Sequence, residues 1–433
     1  MSKQRNYYYI EGKDATTGHI LYRERPLVCD DKFEQDLVML AFPMGMMSDI
    51  SSVLKNFKLR DDSAYFYSEC REVVSVPEKH INEKGEGKLA FQSYFHTFPD
   101  SVAHFFDDAI VVVVLHPHGS VSSEGLQDYN MIGYIHANII TFKDADGELQ
   151  QGYYYNVLRM SEATVQGEAI YRRKRIFTTV FSVLLDLTVI NDIHFVYANM
   201  GRENQGILDA LKMNSERTGK LYETFPMRNN THISRVVGSG SLAKKLIDIS
   251  RDHKRLSEYY HKVLKQRENY VFNQLHNEEK FFNMVRRILG SSENSRFYML
   301  ADEHGNMEAA GFFVCWADYL HLKLQNPRGL FRLIDSLKIT DKILYTTLLV
   351  GEPKKVRELI KGANYKYRKE HGVQVSILNA HEGDPYFDIK KSIVYDPFLY
   401  FAIYDKPEMF ERMKSKSKDA DGNIRIFIDT PML

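Results

Sequence analysis

Residues 156–214 constrain the fold of this chain more than any other segment. Within them, apolar side chains recur with the period of an amphipathic helix at Phe177, Phe181, Leu184 and Leu187. Residues 193–200 are instead a nearly continuous apolar run of strand length, as expected for a strand covered on both faces. With the apolar strand that precedes the helix, the pattern predicts a strand–helix–strand unit with a right-handed crossover.

Four consecutive basic residues lie where this helix begins, namely Arg172, Arg173, Lys174 and Arg175. A helix N-terminus presents unpaired N–H groups and the positive end of the helix dipole, so cations are unfavourable there unless an anion is bound. The pattern therefore predicts a phosphate-binding turn, with Thr178 as a further polar contact. The alternative is a solvated basic helix start without a ligand.

This arrangement resembles the GNAT superfamily of acyl-CoA-dependent N-acyltransferases. In that family, a turn of the form Arg/Gln-x-x-Gly-x-Gly/Ala follows the fourth strand and binds the pyrophosphate of the donor through backbone amides. The matching string here is Arg172, Arg173, Lys174, Arg175, Ile176, Phe177. The leading Arg is present, but Arg175 and Phe177 replace the two small residues, and Phe hinders the close backbone approach that Gly permits. The order of elements matches the family better than the motif does.

A second copy of the same order of elements follows in the C-terminal half. Gly133-Tyr134 corresponds to Gly311-Phe312, and Asn199 to Asn379. The repeat resembles a tandem GNAT protein, which implies an α+β fold with a mixed α/β sheet. We expect two GNAT-like domains, residues 1–240 with an N-terminal extension and residues 241–433 with a helical connection at their start.

The turn between strand and helix in the second copy is short, running from Gly351 to Lys355. It is too short to wrap a pyrophosphate in the manner of the family. We therefore expect the C-terminal copy to be degenerate and non-catalytic, acting as a packing partner or as one wall of the site.

Other patterns predict single elements. Residues 109–117 are the strongest buried-strand signal, and residues 296–316 form a hairpin. A helix is expected from Pro353 to His371, with Gly372 just past its end. Residues 33–57 carry a mostly helical pattern with a Met-rich patch, and residues 231–238 look like a closing strand.

Composition excludes several classes of protein. The 57 Lys and Arg balance 57 Asp and Glu, which disfavours a nucleic-acid partner. The three cysteines, Cys29, Cys70 and Cys315, are far apart in the sequence and include no Cys-x-x-Cys pair. This argues against a disulfide scaffold and a structural zinc site. No signal peptide and no membrane span is evident, so we expect a cytoplasmic protein. His116 and His118 lack further ligands nearby, and no metal is expected.

The resemblance implies a role for particular side chains. The donor, acetyl-CoA or a longer acyl-CoA, would contact the chain from Met160 onward, through residues 172–178, and Asn199 would hold the backbone or a pantetheine amide. Glu162 lies where the family often places a general base, and a surface carboxylate is the alternative. The tyrosine that acts as general acid in the family is missing from the helix after the second strand. Tyr197 and Tyr222 are nearby substitutes for it, and core or strand packing is the alternative for each.

The leading hypothesis is a GNAT-type acyltransferase that moves an acyl group from acyl-CoA, or an acyl carrier protein, to an amine acceptor. The donor would bind in the N-terminal half. A competing hypothesis is a non-catalytic scaffold that keeps the fold and has lost the donor site, as the residues at 175 and 177 suggest. The third is an unrelated α+β enzyme. The sequence does not predict the acceptor, the acyl length or the oligomeric state.

Overall fold

The computed structural model describes part of the chain. The described residues are 3–6, 26–29, 38–43, 57–59, 68–72, 90–95, 109–117, 127–160, 181, 184–185, 187–189, 191–201, 205–318, 320–325, 332, 336, 342–386 and 393–427. Everything below concerns these residues.

The described strands are β1 (Lys3–Asn6), β2 (Pro26–Cys29), β3 (Val38–Pro43), β4 (Phe57–Leu59), β5 (Ser68–Glu72), β6 (Ala90–Phe95), β7 (Ala109–Pro117), β8 (Gln127–Lys143), β9 (Leu149–Met160), β10 (Phe195–Gly201), β11 (Leu221–Ile233), β12 (Ile247–Asp248), β13 (Arg296–Ala301), β14 (Met307–Cys315), β15 (Leu320–Gln325), β16 (Ile343–Gly351), β17 (Val375–His381) and β18 (Ile393–Tyr404). The described helices are α1 (Gln205–Arg217), α2 (Ser234–Val237), α3 (Gly240–Ala243), α4 (His253–Gln266), α5 (Glu278–Ser291), α6 (Pro353–Glu370) and α7 (Pro407–Ser417). A short 3-10 helix covers Trp316–Asp318, and residues around Leu184 and Leu187 are also helical.

One mixed sheet of thirteen strands dominates the structure. Its order is β12-β13-β14-β16-β17-β11-β18-β10-β9-β8-β7-β3, with β4 on β8. Two small sheets, β1-β2 and β15-β6-β5, lie apart from it. The predicted α+β class with a mixed sheet is confirmed.

The sheet contains the predicted repeat. In the N-terminal half, β7, β8 and β9 are antiparallel neighbours, and β10 is parallel to β9. In the C-terminal half, β13, β14 and β16 are antiparallel neighbours, and β17 is parallel to β16. Each parallel pair is joined through helical residues, around Leu184 in the first half and in α6 in the second, as parallel strands require. The two-copy architecture is therefore present.

The two halves exchange one strand each. Although β11 follows β10 in the chain, it pairs with β17 of the other half, and β18 pairs with β10. These two exchanged strands also pair with each other, antiparallel, from Leu221 opposite Tyr404 onward. The sheet is therefore continuous between the two predicted domains, residues 1–240 and 241–433. The boundary between these domains stays a prediction.

Helices cover both faces of the C-terminal half. Helix α6 begins with Pro353 in its first turn and buries Val356, Leu359, Ile360 and Tyr367 against β13, β14 and β16. Gly372, just past its end, has φ +69°, which is the left-handed conformation common after a helix. On the other face, Tyr259 of α4 contacts Phe297 of β13 and Phe281 of α5.

Two local predictions are wrong. Residues 38–43, expected in a helix, form β3, because the short apolar run pairs along its whole length with the buried strand β7. The chain turns into helix α2 at Ser234 instead of continuing as a strand, and this brings it beside α6, where the N–H of Ser239 donates to the carbonyl of Lys361. No helix in the described part of the chain is long and apolar enough to cross a membrane.

Candidate functional site

The parallel strands of the N-terminal half separate after a short contact. Strands β9 and β10 pair only from Gly152–Phe195 to Tyr154–Tyr197, although β9 continues to Met160 and β10 to Gly201. An irregularity in the pairing of β9 with β8 lies just beyond, between Tyr155 and Val157. We call the place where this pairing ends, at the carboxyl ends of two parallel strands, the N-terminal cleft; open α/β sheets bind ligands at such places.

A Tyr–Asn hydrogen bond lies where the strands separate. The hydroxyl of Tyr154 donates to Oδ1 of Asn199, at 2.7 Å. In the C-terminal half, Nδ2 of Asn379 donates to the hydroxyl of Tyr345, at 3.3 Å. Each Asn lies four residues after the first paired residue of its strand, Phe195 or Val375. The predicted correspondence of Asn199 with Asn379 is thus confirmed by register.

A row of polar side chains crosses one face of the sheet at this level. Asn138 is opposite Tyr154, which pairs with Tyr197, and Asn199 is opposite Tyr400 of the exchanged strand β18. The hydroxyls of Tyr197 and Tyr400 and both amide atoms of Asn138 are buried and have no hydrogen-bond partner among the residues that the structure describes. Burial raises the pKa of Tyr197 and of Tyr400 well above the usual value, followed by the effect of the neighbouring tyrosines, so both phenols stay protonated and able to donate.

The fold makes room for the ring of Tyr197. A Cβ added at Gly152 would lie 2.7 Å from Cε1 of Tyr197, so this position needs glycine. Phe272, in the segment between α4 and α5, stacks on the ring with centroids 4.0 Å apart and planes 4° apart. Phe272 has φ +61°, a conformation that costs a bulky residue roughly 1–3 kcal/mol. At the corresponding positions the C-terminal half has Ile343 and Ile377, so the fold itself does not require this arrangement.

Replacing Gly152 with Ala should destabilise the protein by about 1–3 kcal/mol, because the new methyl group overlaps the stacked ring of Tyr197. Replacing Tyr197 with Ile in addition should remove most of that cost, since Ile matches the residue at the equivalent position of the other half. Chemical denaturation of both single variants and the double variant gives the coupling free energy between the two sites. A coupling near zero would show that the ring and the glycine are independent.

At the corresponding place in the C-terminal half, which we call the C-terminal cleft, the protein's own side chains bind the backbone. Leu348, in β16 just past the last pair with β17, has φ +51°. Three side chains donate hydrogen bonds to backbone carbonyls at the end of β16. The hydroxyl of Tyr259 donates to the carbonyl of Leu348, at 2.6 Å, and Nη1 of Arg267 to that of Leu349, at 2.8 Å. The hydroxyl of Tyr386 donates to the carbonyl of Gly351, at 2.8 Å. The N–H of Gly351 donates to Oε1 of Gln266, at 3.2 Å. The backbone groups that border this cleft are therefore already used.

The two predicted tyrosines do not meet. Tyr222 is opposite Ile403 of β18, whereas the row that contains Tyr197 includes Tyr400, three residues away on the same strand. Alternation along a strand places these positions on opposite faces of the sheet. Tyr222 stacks on Phe401, and burial, followed by the charge of Asp209, raises its pKa to about 12. Tyr197 and Tyr222 therefore cannot act together on one substrate atom.

Several predicted residues lie outside the part of the chain that can be described. These are Glu162, Arg172, Arg173, Lys174, Arg175, Ile176, Phe177 and Thr178. Met160 is the last residue of β9, at the cleft end of the strand. Among the described residues, no group of three or more His, Cys, Asp and Glu side chains is arranged to hold a metal ion.

Three residues of the polar row were not singled out from the sequence, namely Asn138, Tyr154 and Tyr400. Tyr154 is the middle one of three consecutive tyrosines, and only the register with β10 shows which of them faces the cleft. Tyr400 belongs to the other half of the chain, and nothing local in its strand indicates that β18 pairs with β10. Asn138 carried a signal, since an Asn in the middle of an apolar strand is unusual.

No protein-family model matches this sequence, and no curated protein matches it either. Among solved structures, Saccharomyces cerevisiae N-myristoyltransferase with bound myristoyl-CoA is similar, with a TM-score of 0.44 and 12% identity over 84% of this chain and 88% of that chain. A tandem GNAT protein from the clavulanic acid biosynthesis pathway gives a TM-score of 0.43 and 9% identity over 77% of this chain and 98% of that chain. A GCN5-related N-acetyltransferase from Sphaerobacter thermophilus gives 0.37 and 11% over 67% and 79%.

Proteins with identities this low share few side chains, so the chemistry of this chain depends on its own residues. The fold follows from its own strand pairing: an antiparallel meander, a parallel pair that separates at a Tyr–Asn contact, and an exchanged last strand, all present twice. In its strand order the chain has the tandem GNAT-like fold that the resemblance implied.

Proposed function

We propose that this protein is an N-acyltransferase that binds acyl-CoA between β9 and β10 and transfers the acyl group to an amine. The observation that carries the proposal is a contrast between two equivalent clefts. Among the described residues, buried polar groups without partners lie near the N-terminal cleft at Asn138, Tyr197 and Tyr400, whereas near the C-terminal cleft Oδ1 of Asn379, the equivalent of Asn199, is in this state. The C-terminal cleft has its backbone groups bound by Tyr259, Arg267 and Tyr386. Buried polar groups that lack partners are costly, and a bound ligand is one source of such partners.

The transfer reaction needs few groups from the protein. An amine attacks the thioester carbon, the new C–N bond forms, the C–S bond breaks, the amine loses a proton and the thiolate gains one. Holding the two reactants together supplies much of the rate. Glu162 is our candidate for the base that takes the amine proton. Tyr197 is better suited to donate a hydrogen bond to the donor than to give up its proton, because burial raises its pKa.

The C-terminal half then has a supporting role. The backbone at the end of β16 is hydrogen-bonded by the protein's own side chains, such as Tyr386. Helix α6 begins at Pro353, only two residues after Gly351. We propose that this half binds no donor and contributes to the N-terminal site through β18. The side chain of Cys315 is buried. We propose a cytoplasmic location, which fits a donor such as acyl-CoA.

Calorimetric titration with acetyl-CoA and with a long-chain acyl-CoA tests the donor site. Replacing Arg172 and Arg175 together with Ala should weaken binding by about tenfold to a hundredfold, as expected for lost hydrogen bonds to a charged phosphate. The matched control replaces Lys354 and Lys355 with Ala, the basic pair at the equivalent turn of the other half. It should leave binding unchanged. Weakening by the control variant alone would place the donor in the C-terminal half.

A second candidate function is a binding or scaffold protein without activity. The observation that favours it is the pair of bulky residues, Arg175 and Phe177, at positions where the family has small ones. Release of free CoA thiol from acyl-CoA in the presence of a panel of primary amines separates the two. Binding without any release supports the scaffold. If the protein binds an acylated carrier protein and does not bind acyl-CoA, the proposed donor changes and the proposed reaction stays the same.

A further inference from the structure

An aromatic ring from the other half of the chain covers the N-terminal half of the sheet beside the cleft. Phe272 lies between α4 and α5, and its ring is stacked on that of Tyr197, with centroids 4.0 Å apart and planes 4° apart. Tyr197 belongs to the last pair of β10 with β9 before these strands separate. Phe272 is therefore only one ring away from the N-terminal cleft.

Phe272 is at the centre of a cluster of aromatic side chains on this face of the sheet. Besides Tyr197, its ring has four neighbours, with centroid distances of 5.1 Å to Phe142, 5.4 Å to Phe195, 5.8 Å to Phe410 and 6.2 Å to Tyr400. Rings at these separations are in contact. All of these side chains are at most 1% exposed. A flexible apolar chain that enters this face from the cleft has to displace one of the rings.

The opposite face of the sheet is filled at the same level. Tyr155 follows Tyr154 in β9, so its side chain lies on the other face. Its ring centroid is 6.2 Å from that of Phe181, in the helical residues between β9 and β10, and 6.2 Å from that of Phe401 in β18. Both phenylalanines are 0% exposed. Packed rings therefore oppose a long apolar chain on either face.

The backbone fixes the ring of Phe272 in its position. Its φ of +61° is unfavourable for a bulky residue, and such conformations persist where the surrounding structure over-determines them. The N–H of Val271 donates to the carbonyl of Arg425, and the N–H of Phe427 donates to the carbonyl of Val271, both at 2.9 Å. The end of the described chain thus holds Phe272 against the sheet, and the ring is a fixed stop.

We infer, on the basis of the proposed function, that Phe272 limits the length of the acyl group that the N-terminal cleft accepts. The proposed function leaves this length open. A methylene group favours binding when it is buried in free apolar space, but a methylene group forced into a filled core costs more than it gains. A short acyl group such as acetyl ends before the ring, whereas a longer one has to push the ring away from Tyr197. The C-terminal half thereby supplies the residue that determines the acyl specificity of the N-terminal site.

The test is calorimetric titration of the protein with CoA, acetyl-CoA and octanoyl-CoA. The wild-type protein should bind acetyl-CoA about tenfold to a hundredfold more tightly than octanoyl-CoA, as expected from the cost of overpacking. Phe272→Ala removes the ring and should reduce this preference by about tenfold or more. It should bind CoA as wild type does, because CoA has no acyl group to meet the ring.

Phe312→Ala is the matched control. Phe312 is 0% exposed, and its ring is stacked on that of Phe297 in the C-terminal half, with centroids 4.0 Å apart and planes 2° apart. The change removes the same ring from an equivalent stack, so it should lower stability and leave the preference for acetyl-CoA unchanged. Phe272→Leu keeps an apolar side chain in the core. It should shift the preference in the same direction as Phe272→Ala, and it serves as the test if the alanine variant does not fold.

Three results would overturn the limit and leave the proposed function standing. The first is that the wild-type protein binds octanoyl-CoA as tightly as acetyl-CoA, or more tightly. The second is an unchanged preference in the variants at Phe272. The third is an equal shift in Phe312→Ala, which would show that any cavity in the core loosens the site. If the wild-type protein binds neither CoA nor the two acyl-CoAs, both the limit and the proposed function fail.

Discussion

Replacing Gly351 with Ala is expected to lower the free energy of unfolding by about 3–4 kcal/mol, the largest effect of a single methyl group that we predict here. Gly351 ends β16 with φ +120°, which L-residues rarely adopt. A Cβ at this position would lie 2.4 Å from the carbonyl oxygen of Glu308 and 2.9 Å from Cα of Ala309, both backbone atoms of the neighbouring strand. Neither can move without displacing β14. Denaturation by urea measures the loss.

Gly147 provides the control. It also has a positive φ, +88°, but no atom lies within 4 Å of the Cβ that alanine would add. The Gly147→Ala change should therefore cost only the backbone strain, about 1 kcal/mol. Equal losses in the two variants would show that the close approach to β14 contributes nothing, and that strain alone decides both.

Lowering the pH from 7 to 4 should destabilise the protein, and His232 should account for about 3 kcal/mol of the loss. This histidine is buried in β11, where it is opposite Ser376, and no described residue is a hydrogen-bond partner of its Nε2. Burial lowers its pKa from 6.5 to about 4. As the pH falls through 6.5, the unfolded chain takes up a proton that the folded chain does not. Stability is therefore complete above pH 6.5 and is lost progressively down to about pH 4.

His381 acts in the same direction over a similar range. Burial, followed by the positive charges of Arg267 and Arg425, lowers its pKa to about 3. The variant that isolates His232 follows from the repeat, since the corresponding pair in the other half is Ile403 opposite Val196. His232→Ile with Ser376→Val should flatten the pH dependence by about 3 kcal/mol between pH 7 and pH 4, measured by denaturation at each pH.

The exposed His304, in the turn between β13 and β14, serves as the control for this experiment. His304→Gln should leave the pH dependence as in wild type, because the side chain of residue 304 is exposed and takes no part in the core. If the double variant at residues 232 and 376 behaves like this control, then His232 is accessible to protons in the folded state.

The sequence predicted those parts of the fold that depend on local patterns. Pro353 and Gly372 marked the ends of α6 because their backbone preferences act within one turn of the chain. The match of Asn199 with Asn379 was correct because each is the fifth residue of a strand of seven residues. Residues 38–43 were misassigned because a short apolar run suits a helix or a strand equally well until its partner β7 is known.

The candidate site was predicted less completely than the fold. Asn199 was singled out because it ends the apolar run after the crossover, and Tyr197 because it is a nearby substitute for the family's tyrosine. Both lie where β9 and β10 separate. Tyr222 was chosen for its proximity in sequence, which says nothing about the face of the sheet on which a side chain lies. Tyr400 was missed because strand exchange is a pairing over about two hundred residues, and the pattern of β18 is compatible with any apolar neighbour.

The exchange of β11 and β18 makes the molecule equivalent to a two-fold homodimer whose subunits have been joined into one chain. The sheet of each half includes a strand that comes from the other half, so neither half forms its complete sheet alone. Joining the subunits frees the two copies to diverge, because a substitution no longer appears twice. In one half, Tyr386 and Arg267 accordingly donate to the backbone at the end of β16, while in the other the polar groups of Asn138, Tyr197 and Tyr400 have no partner among the described residues.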